Sequence, residues 1–244
     1  MSRILILGAT SPIARALAWE FAGCGDELYL AGRDREEIQR LAADITIRFG
    51  TACQTHYLNA LDFQSHPAFI ESVLAQLEPL DGVVFAIGHT GDQPGESMDP
   101  ALALRIVEIN YTSAVSLLAP LANYFEEQGR GFLMGISSVA GDRGRRSNYA
   151  YGASKGALSL YLEGLRHRLD RYGVIVLTLK VGFVDTSMTY GKKGLFLVAS
   201  PEKVARLAYA IRGKPGVHYL PRFWRFIMLM IRFIPERLFN RMDL

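Results

Sequence analysis

The sequence is short of what disulfides, metals, nucleic acids and membrane spans require. Only two of its 244 residues are cysteine, Cys24 and Cys53. Neither sits in a metal-type spacing, so no zinc site or disulfide framework is expected. The five histidines, His56, His66, His89, His167 and His218, form no ligand pair, and the expected metal is none. Lys and Arg number 27 against 24 Asp and Glu, a formal net charge of +3. That balance is too mild to imply nucleic acid, and no lysine-rich tract is present. No uninterrupted apolar run approaches the roughly 20 residues of a bilayer span. Two buried, reduced thiols fit a cytoplasmic location. No linker, repeat or low-complexity segment divides the chain.

What is there suits one core. Half of the residues are hydrophobic and 21% are charged, as in a folded chain with ample apolar surface to bury. The opening run Arg3–Gly8 is too short for a signal peptide and reads as a strand. Short apolar runs at 3–8, 27–32, 52–58, 82–88, 131–137, 174–181 and 216–220 alternate with helical patterns near 12–24, 34–49, 63–78, 98–128, 149–172 and 201–212. Such alternation predicts an α/β fold: one domain over 1–244, with a doubly wound, parallel, seven-stranded sheet and helices on both faces. Ligands of such sheets sit at the carboxyl ends of the strands.

At the first strand end stands Gly8-Ala9-Thr10-Ser11-Pro12-Ile13-Ala14. A glycine-rich turn here lets backbone N–H groups and a helix N-terminus meet a pyrophosphate. Only Gly8 is a glycine, so the motif is thin. Thr10 and Ser11 offer hydroxyls, and Pro12 suits a first helical turn. The second strand runs into Arg33 and Asp34, at the point that faces the adenosine ribose. Arg33 points to NADP through the 2′-phosphate; Asp34, if turned inward, would favour the alternative, NAD.

Ser138 precedes Tyr151 by thirteen residues, and Lys155 follows Tyr151 by four, one turn along the same helix face. Reducing a carbonyl by hydride needs a proton donor at the oxygen. A phenol beside an ammonium is expected to have its pKa brought down towards neutrality. A serine hydroxyl alongside can polarise the substrate oxygen.

Together these residues resemble the Ser…Tyr-x-x-x-Lys active site of the short-chain dehydrogenase/reductase family. Asn110, in Ile109-Asn110-Tyr111-Thr112, matches that family's helix-four asparagine. Val181-Gly182-Phe183-Val184-Asp185-Thr186 resembles its Pro-Gly-x-x-x-Thr segment. The resemblance covers about residues 3–190. It implies a Rossmann fold and NAD(P)-dependent exchange of a ketone with a secondary alcohol. The implied catalytic residues are Asn110, Ser138, Tyr151 and Lys155. For the cofactor it implies Gly8, Thr10, Ser11, Ile13, Arg33, Asn59, Ala60, Ala86, Gly88, Val184 and Thr186, with Tyr151 and Lys155. Asn59 stands where the family places an adenine-contacting Asp. Phe85-Ala86-Ile87-Gly88 replaces the usual Asn-Asn-Ala-Gly, and Val181 the usual proline. Relatives often assemble through two long helices, so a homo-oligomer is expected. They also carry a mobile substrate lid where Gly191-Lys192-Lys193-Gly194 stands here.

Residues 108–115, 137–155 and 223–242 resemble a narrower branch of that family, whose members reduce keto sugars carried on polyprenyl phosphates. Arg145 and Arg146, in the stretch between Ser138 and Tyr151, are candidate substrate-phosphate ligands, because guanidinium forks match phosphate oxygens. The tail, residues 221–244, reads as an apolar, basic C-terminal helix suited to a membrane interface, so peripheral contact with the inner membrane face is expected. Two rivals stay open: a reductase of another hydrophobic ketone, steroid-like or fatty-acyl, and a nucleotide-binding sensor without turnover.

Overall fold

Strand β1 (Arg3–Leu7) sorts its side chains by the period of two that a pleated strand imposes. Ile4 and Ile6 join one core, Leu5 and Leu7 another. All four are almost fully buried, so the strand is covered on both faces, as a parallel sheet requires. In the computed structural model, residues 1–91, 99–186, 189 and 197–242 are described. The remaining strands are β2 (Glu27–Gly32), β3 (Cys53–Tyr57), β4 (Gly82–Phe85), β5 (Phe132–Ser138), β6 (Ile175–Val181) and β7 (Gly216–Leu220). They form one seven-stranded sheet in the order β3-β2-β1-β4-β5-β6-β7, with every pairing parallel.

The helices obey local stop and start signals. α1 (Pro12–Gly23) begins with Pro12 behind the cap Ser11, whose side chain accepts from Ala14 N. α2 (Arg35–Phe49) is capped by Asp34 and ends at Gly50, φ 65°. α3 is His66–Gln76. A long helical run comprises α4 (Pro100–Val107), a π-helical turn at Glu108–Thr112 and α5 (Ser113–Gln128). α6 is Tyr149–Leu169 and α7 is Pro201–Ala210. Apolar faces of α1, α2 and α7 share one core with the sheet. Those of α3, α5 and α6 share the other. The fold is thus the expected Rossmann-like α/β sheet with helices on both faces.

The tail corrects the expectation. Residues 221–244 do not make one apolar, basic helix. They form the ten-residue α8 (Trp224–Phe233) and a four-residue turn, α9 (Glu236–Phe239). The break falls at Ile234, whose extended backbone precedes Pro235, because proline pushes the preceding residue out of the helical region. Trp224 and Met228 turn inward and are buried with Val139. Among the described residues, the helix long and apolar enough to cross a membrane by length and composition is Pro100–Gln128. Its α5 part packs Leu117, Leu118, Leu121 and Phe125 fully into the second core.

Between β1 and β4 the order of strands reverses direction. Connections to either side of that point leave on opposite faces, and in such sheets the ligand crevice lies there, at the carboxyl ends.

Candidate active site

Gly8 closes β1 at this crevice with φ 83°, a left-handed conformation that only glycine adopts without strain. A Cβ on it would lie 2.9 Å from Ile87 N and 3.0 Å from the carbonyl carbon of Ala86. The ends of β1 and β4 therefore approach as closely as backbone allows. Gly8 N and Ala9 N both donate to Ala31 O, at 2.9 and 3.0 Å. Thr10, Ser11 and Ile13 are partly buried around the N-terminus of α1. Pro12 occupies a position whose N–H would have no partner within the helix, so its missing donor removes nothing. One glycine thus suffices for the turn, and the helix end meets the crevice as a phosphate site requires.

Beyond β2, Arg33 is exposed and makes no ion pair among the described residues. Asp34 Oδ1 accepts from Glu37 N at 3.0 Å. Its carboxylate is engaged on its own helix, whereas the guanidinium of Arg35 lies 4.4 Å from the Tyr57 ring centre. After β3, Asn59 accepts from Leu61 N through Oδ1 at 3.2 Å, and Asn59 and Ala60 are partly buried. After β4 come the partly buried Ala86 and Gly88. A Cβ on Gly88 would stand 3.0 Å from Lys155 Nζ. Set around a switch-point crevice, these residues fit a dinucleotide.

The catalytic candidates gather from β5, α6 and the π-helical turn. Ser138 ends β5, and its Oγ accepts from Ala140 N at 3.1 Å. Its own proton is then available to the phenol oxygen of Tyr151, with which it hydrogen-bonds. Lys155 is 4% exposed. Its Nζ donates to Ile136 O at 3.0 Å and to Ile87 O at 3.4 Å. Burial disfavours its charge and pushes its pKa down to about 8. The Tyr151 phenol is held above its ordinary value by burial, with the Ser138 hydrogen bond opposing. The sequence expectation was a lowered phenol. The structure differs because burial of the phenol outweighs the Ser138 hydrogen bond.

Asn110 is fully buried in the π-helical turn, a distortion that recurs at functional sites. Its Oδ1 accepts from His89 N at 2.7 Å, and its Nδ2 donates to His89 O and Ser154 Oγ, both at 2.9 Å. Ser154 Oγ donates in turn to Tyr151 O at 2.8 Å. All four residues expected to be catalytic therefore lie in one neighbourhood.

On the substrate side, Val184 is buried and bridges Ala199. Thr186 N donates to Thr189 Oγ1 at 3.1 Å. Arg145 is partly buried: its Nη2 lies 3.7 Å from Met228 Sδ, and its buried Nε has no hydrogen-bond partner. Desolvation pulls its pKa down while the charge of Asp142 opposes. Arg146 is exposed. The expected lid at 191–194 lies outside the described residues.

Three groups escaped the sequence reading. Asp142, its side chain 1% exposed, pairs with Lys180 of β6 and accepts from the Tyr219 hydroxyl at 2.8 Å. Arg143 donates to Ile231 O and Ile234 O at the end of α8, its guanidinium carbon 3.7 Å from the Phe239 ring centre. Ser137 and Ser159 hydroxyls lie 2.9 and 2.8 Å from Lys155 O. The partners of Asp142 and Arg143 stand far off in sequence and carry no local motif.

Comparison with known proteins agrees with this geometry. The model of the family described as short chain dehydrogenase matches residues 2–193. An uncharacterized oxidoreductase of Mycobacterium tuberculosis is 35% identical over 240 residues, 98% of this chain and 96% of that one. Among solved structures, NAD+-bound xylitol dehydrogenase superposes with a TM-score of 0.79 at 18% identity, covering 88% of this chain and 95% of that one. Actinorhodin polyketide ketoreductase with NADPH gives 0.78 at 20%, covering 87% and 91%. At such identities the superpositions speak for the fold alone.

Proposed function

This chain belongs to the short chain dehydrogenase family, and we propose that it reduces a keto sugar carried on a polyprenyl phosphate, with NADPH as reductant. The coarser activity follows from membership: it is an NAD(P)-dependent oxidoreductase acting on a ketone and its secondary alcohol.

The observation that carries the chemistry is the Ser138–Tyr151–Lys155 cluster at the switch-point crevice. When bound, the nicotinamide supplies the hydride. Tyr151 gives its phenolic proton to the substrate oxygen, and Ser138 donates a hydrogen bond to that oxygen as charge develops. The Lys155 ammonium stabilises the phenolate that remains and holds the nicotinamide ribose. Asn110, through Ser154, fixes the turn of α6 that carries both, and orders the relay that restores the proton. Gly8, Thr10, Ser11 and Ile13 hold the pyrophosphate; Asn59 and Ala60 the adenine; Ala86 and Gly88 flank the ribose side; Val184 and Thr186 hold the carboxamide. Arg33 takes the 2′-phosphate. The engagement of Asp34 in its own helix cap supports NADP over NAD.

Two observations support the substrate. Residues 108–115, 137–155 and 223–242 resemble decaprenylphosphoryl-2-keto-pentose reductase, a name that the relatives reported above do not carry. Arg145 is a desolvated guanidinium whose Nε lacks a partner, a costly arrangement unless an anion arrives. Arg146 stands beside it at the surface. The reading includes a cytoplasmic enzyme that touches the membrane peripherally through the exposed Phe226, Met230 and Phe233. It also includes a homo-oligomer built on the outer face of α6, where Leu160 is exposed. The apolar cluster of Phe183, Phe223, Trp224 and Ile227 favours a second reading, a plain hydrophobic ketone of steroid-like or fatty-acyl type.

The test is steady-state reduction of a phosphorylated and an unphosphorylated ketone by Arg145→Ala. A KM raised about tenfold or more for the phosphorylated substrate alone is expected, from loss of a charge-assisted pair. Equal effects on both would remove the phosphate from the proposal and leave the hydrophobic ketone.

A further inference from the structure

The loop after β3 makes a tight turn: Asp62 N donates to Asn59 O at 3.0 Å, and Leu61 N to Asn59 Oδ1 at 3.2 Å. Against this turn lies His66, at the start of α3 and only 1% exposed. Its Nε2 is 3.2 Å from Asn59 O, and its Nδ1 is 2.8 Å from Ser116 Oγ on α5. A main-chain carbonyl can only accept, so Nε2 carries the proton. In the neutral ring, Nδ1 accepts from the Ser116 hydroxyl. The two partners thus select one tautomer of the neutral imidazole. Burial keeps its pKa below the ordinary value, against the pull of the Asn59 carbonyl and the charge of Asp62. The Phe63 ring packs edge-on at 5.6 Å.

This imidazole joins the turn at Asn59 to α5. Asn59 lies at the adenine end, beyond β2. Ser116 lies six residues after Asn110 on the long helical run. A phenylalanine or leucine would fill a buried position at less desolvation cost. A fully satisfied polar bridge instead fixes where its partners stand.

We propose that His66 is a positioning residue that sets the Asn59–Ala60 backbone for the adenine of the cofactor. The inference rests on the cofactor reading above and goes beyond it, since it assigns to α3 a part in nucleotide binding. It concerns the adenosine half alone. The catalytic cluster lies across β1 and β4 on the other side of the switch point, so the nicotinamide half is untouched.

The experiment titrates the full chain with NADPH, with adenosine 2′,5′-bisphosphate and with reduced nicotinamide mononucleotide, for wild type, His66→Phe, His66→Gln and Ser116→Ala. His66→Phe is expected to weaken adenosine bisphosphate about fivefold, the worth of one hydrogen bond, and to leave nicotinamide mononucleotide and kcat at saturating NADPH unchanged. His66→Gln, whose amide can donate to Asn59 O and accept from Ser116, is expected to restore most of that affinity. Should His66→Phe not fold, Ser116→Ala carries the test with a loss of about twofold in the adenosine half. Unchanged adenosine affinity, an equal loss in both halves, or no recovery with glutamine would overturn the inference. A wild-type chain that binds none of the three would overturn the cofactor reading, and this inference with it.

Discussion

Asn110 Nδ2 donates to Ser154 Oγ at 2.9 Å, tying the π-helical turn to the helix that carries Tyr151 and Lys155. Ser154→Ala removes that bond and the one from Ser154 Oγ to Tyr151 O, and leaves the two between Asn110 and His89. It is expected to cost about 1 kcal/mol of stability and to lower kcat with cofactor affinity unchanged. Asn110→Leu also breaks the two part-buried bonds to the His89 N–H and carbonyl, so its loss is larger, about 2 kcal/mol or more. Urea unfolding and steady-state kinetics on the two variants check both.

Lys155 gives a pH dependence of known sign. Its ordinary pKa is near 10.5 and burial brings it to about 8. Between those values the unfolded chain holds a proton that the folded chain has released, so this group makes stability rise with pH across the interval. Above it both states are neutral and the burial penalty is gone; below about 8 the penalty is full. Wild type minus Lys155→Met, followed by thermal midpoint from about pH 7 to 11 (a window that brackets those two values), is expected to show this rise. A difference flat in pH would contradict the burial.

Arg33 and Asp34 are adjacent but have different tasks. Arg33→Ala is expected to weaken NADPH about tenfold or more, from loss of a charged hydrogen bond, and to leave NADH unchanged. Asp34→Ala is expected to cost about 1 kcal/mol through the lost helix cap and to leave the preference between the two nucleotides as it was. Fluorescence titration with both nucleotides separates the effects.

Asp142, Lys180 and Tyr219 bind the catalytic loop to β6 and β7 from within the protein. The Asp142 side chain is 1% exposed and that of Lys180 14%, so a half-broken pair leaves a buried charge. Asp142→Asn is expected to cost about 3 kcal/mol. Removing both charges with Asp142→Asn and Lys180→Met is expected to cost less than the two single changes added together. A denaturant double-mutant cycle measures the difference.

Much of this was legible in the chain. Ile4-Leu5-Ile6-Leu7 reads as a strand covered on both sides, and the spacing of Ser138, Tyr151 and Lys155 fixes their shared face through the helix period alone. Both signals are local. The tail misled for the same reason. Its apolar run looks continuous, but Ile234–Pro235 interrupts it, and Trp224 and Met228 turn inward only because Val139 and Phe183 receive them. The phenol shift runs against expectation because burial, a product of packing outside the motif, outweighs the Ser138 hydrogen bond. Asp142 meets Lys180 and Tyr219 across 38 and 77 residues, and His66 meets Ser116 across 50. No periodicity links such positions.

The central claim is that Tyr151 is the proton donor of a nicotinamide-dependent reductase. Its most direct test follows the loss of NADPH absorbance with a panel of ketones, for wild type and Tyr151→Phe, beside NADPH binding measured on both. The account predicts turnover by wild type. It also predicts a rate lower by about hundredfold or more in the variant, with NADPH affinity nearly unchanged. A variant that binds NADPH and reduces ketones as fast as wild type would contradict it.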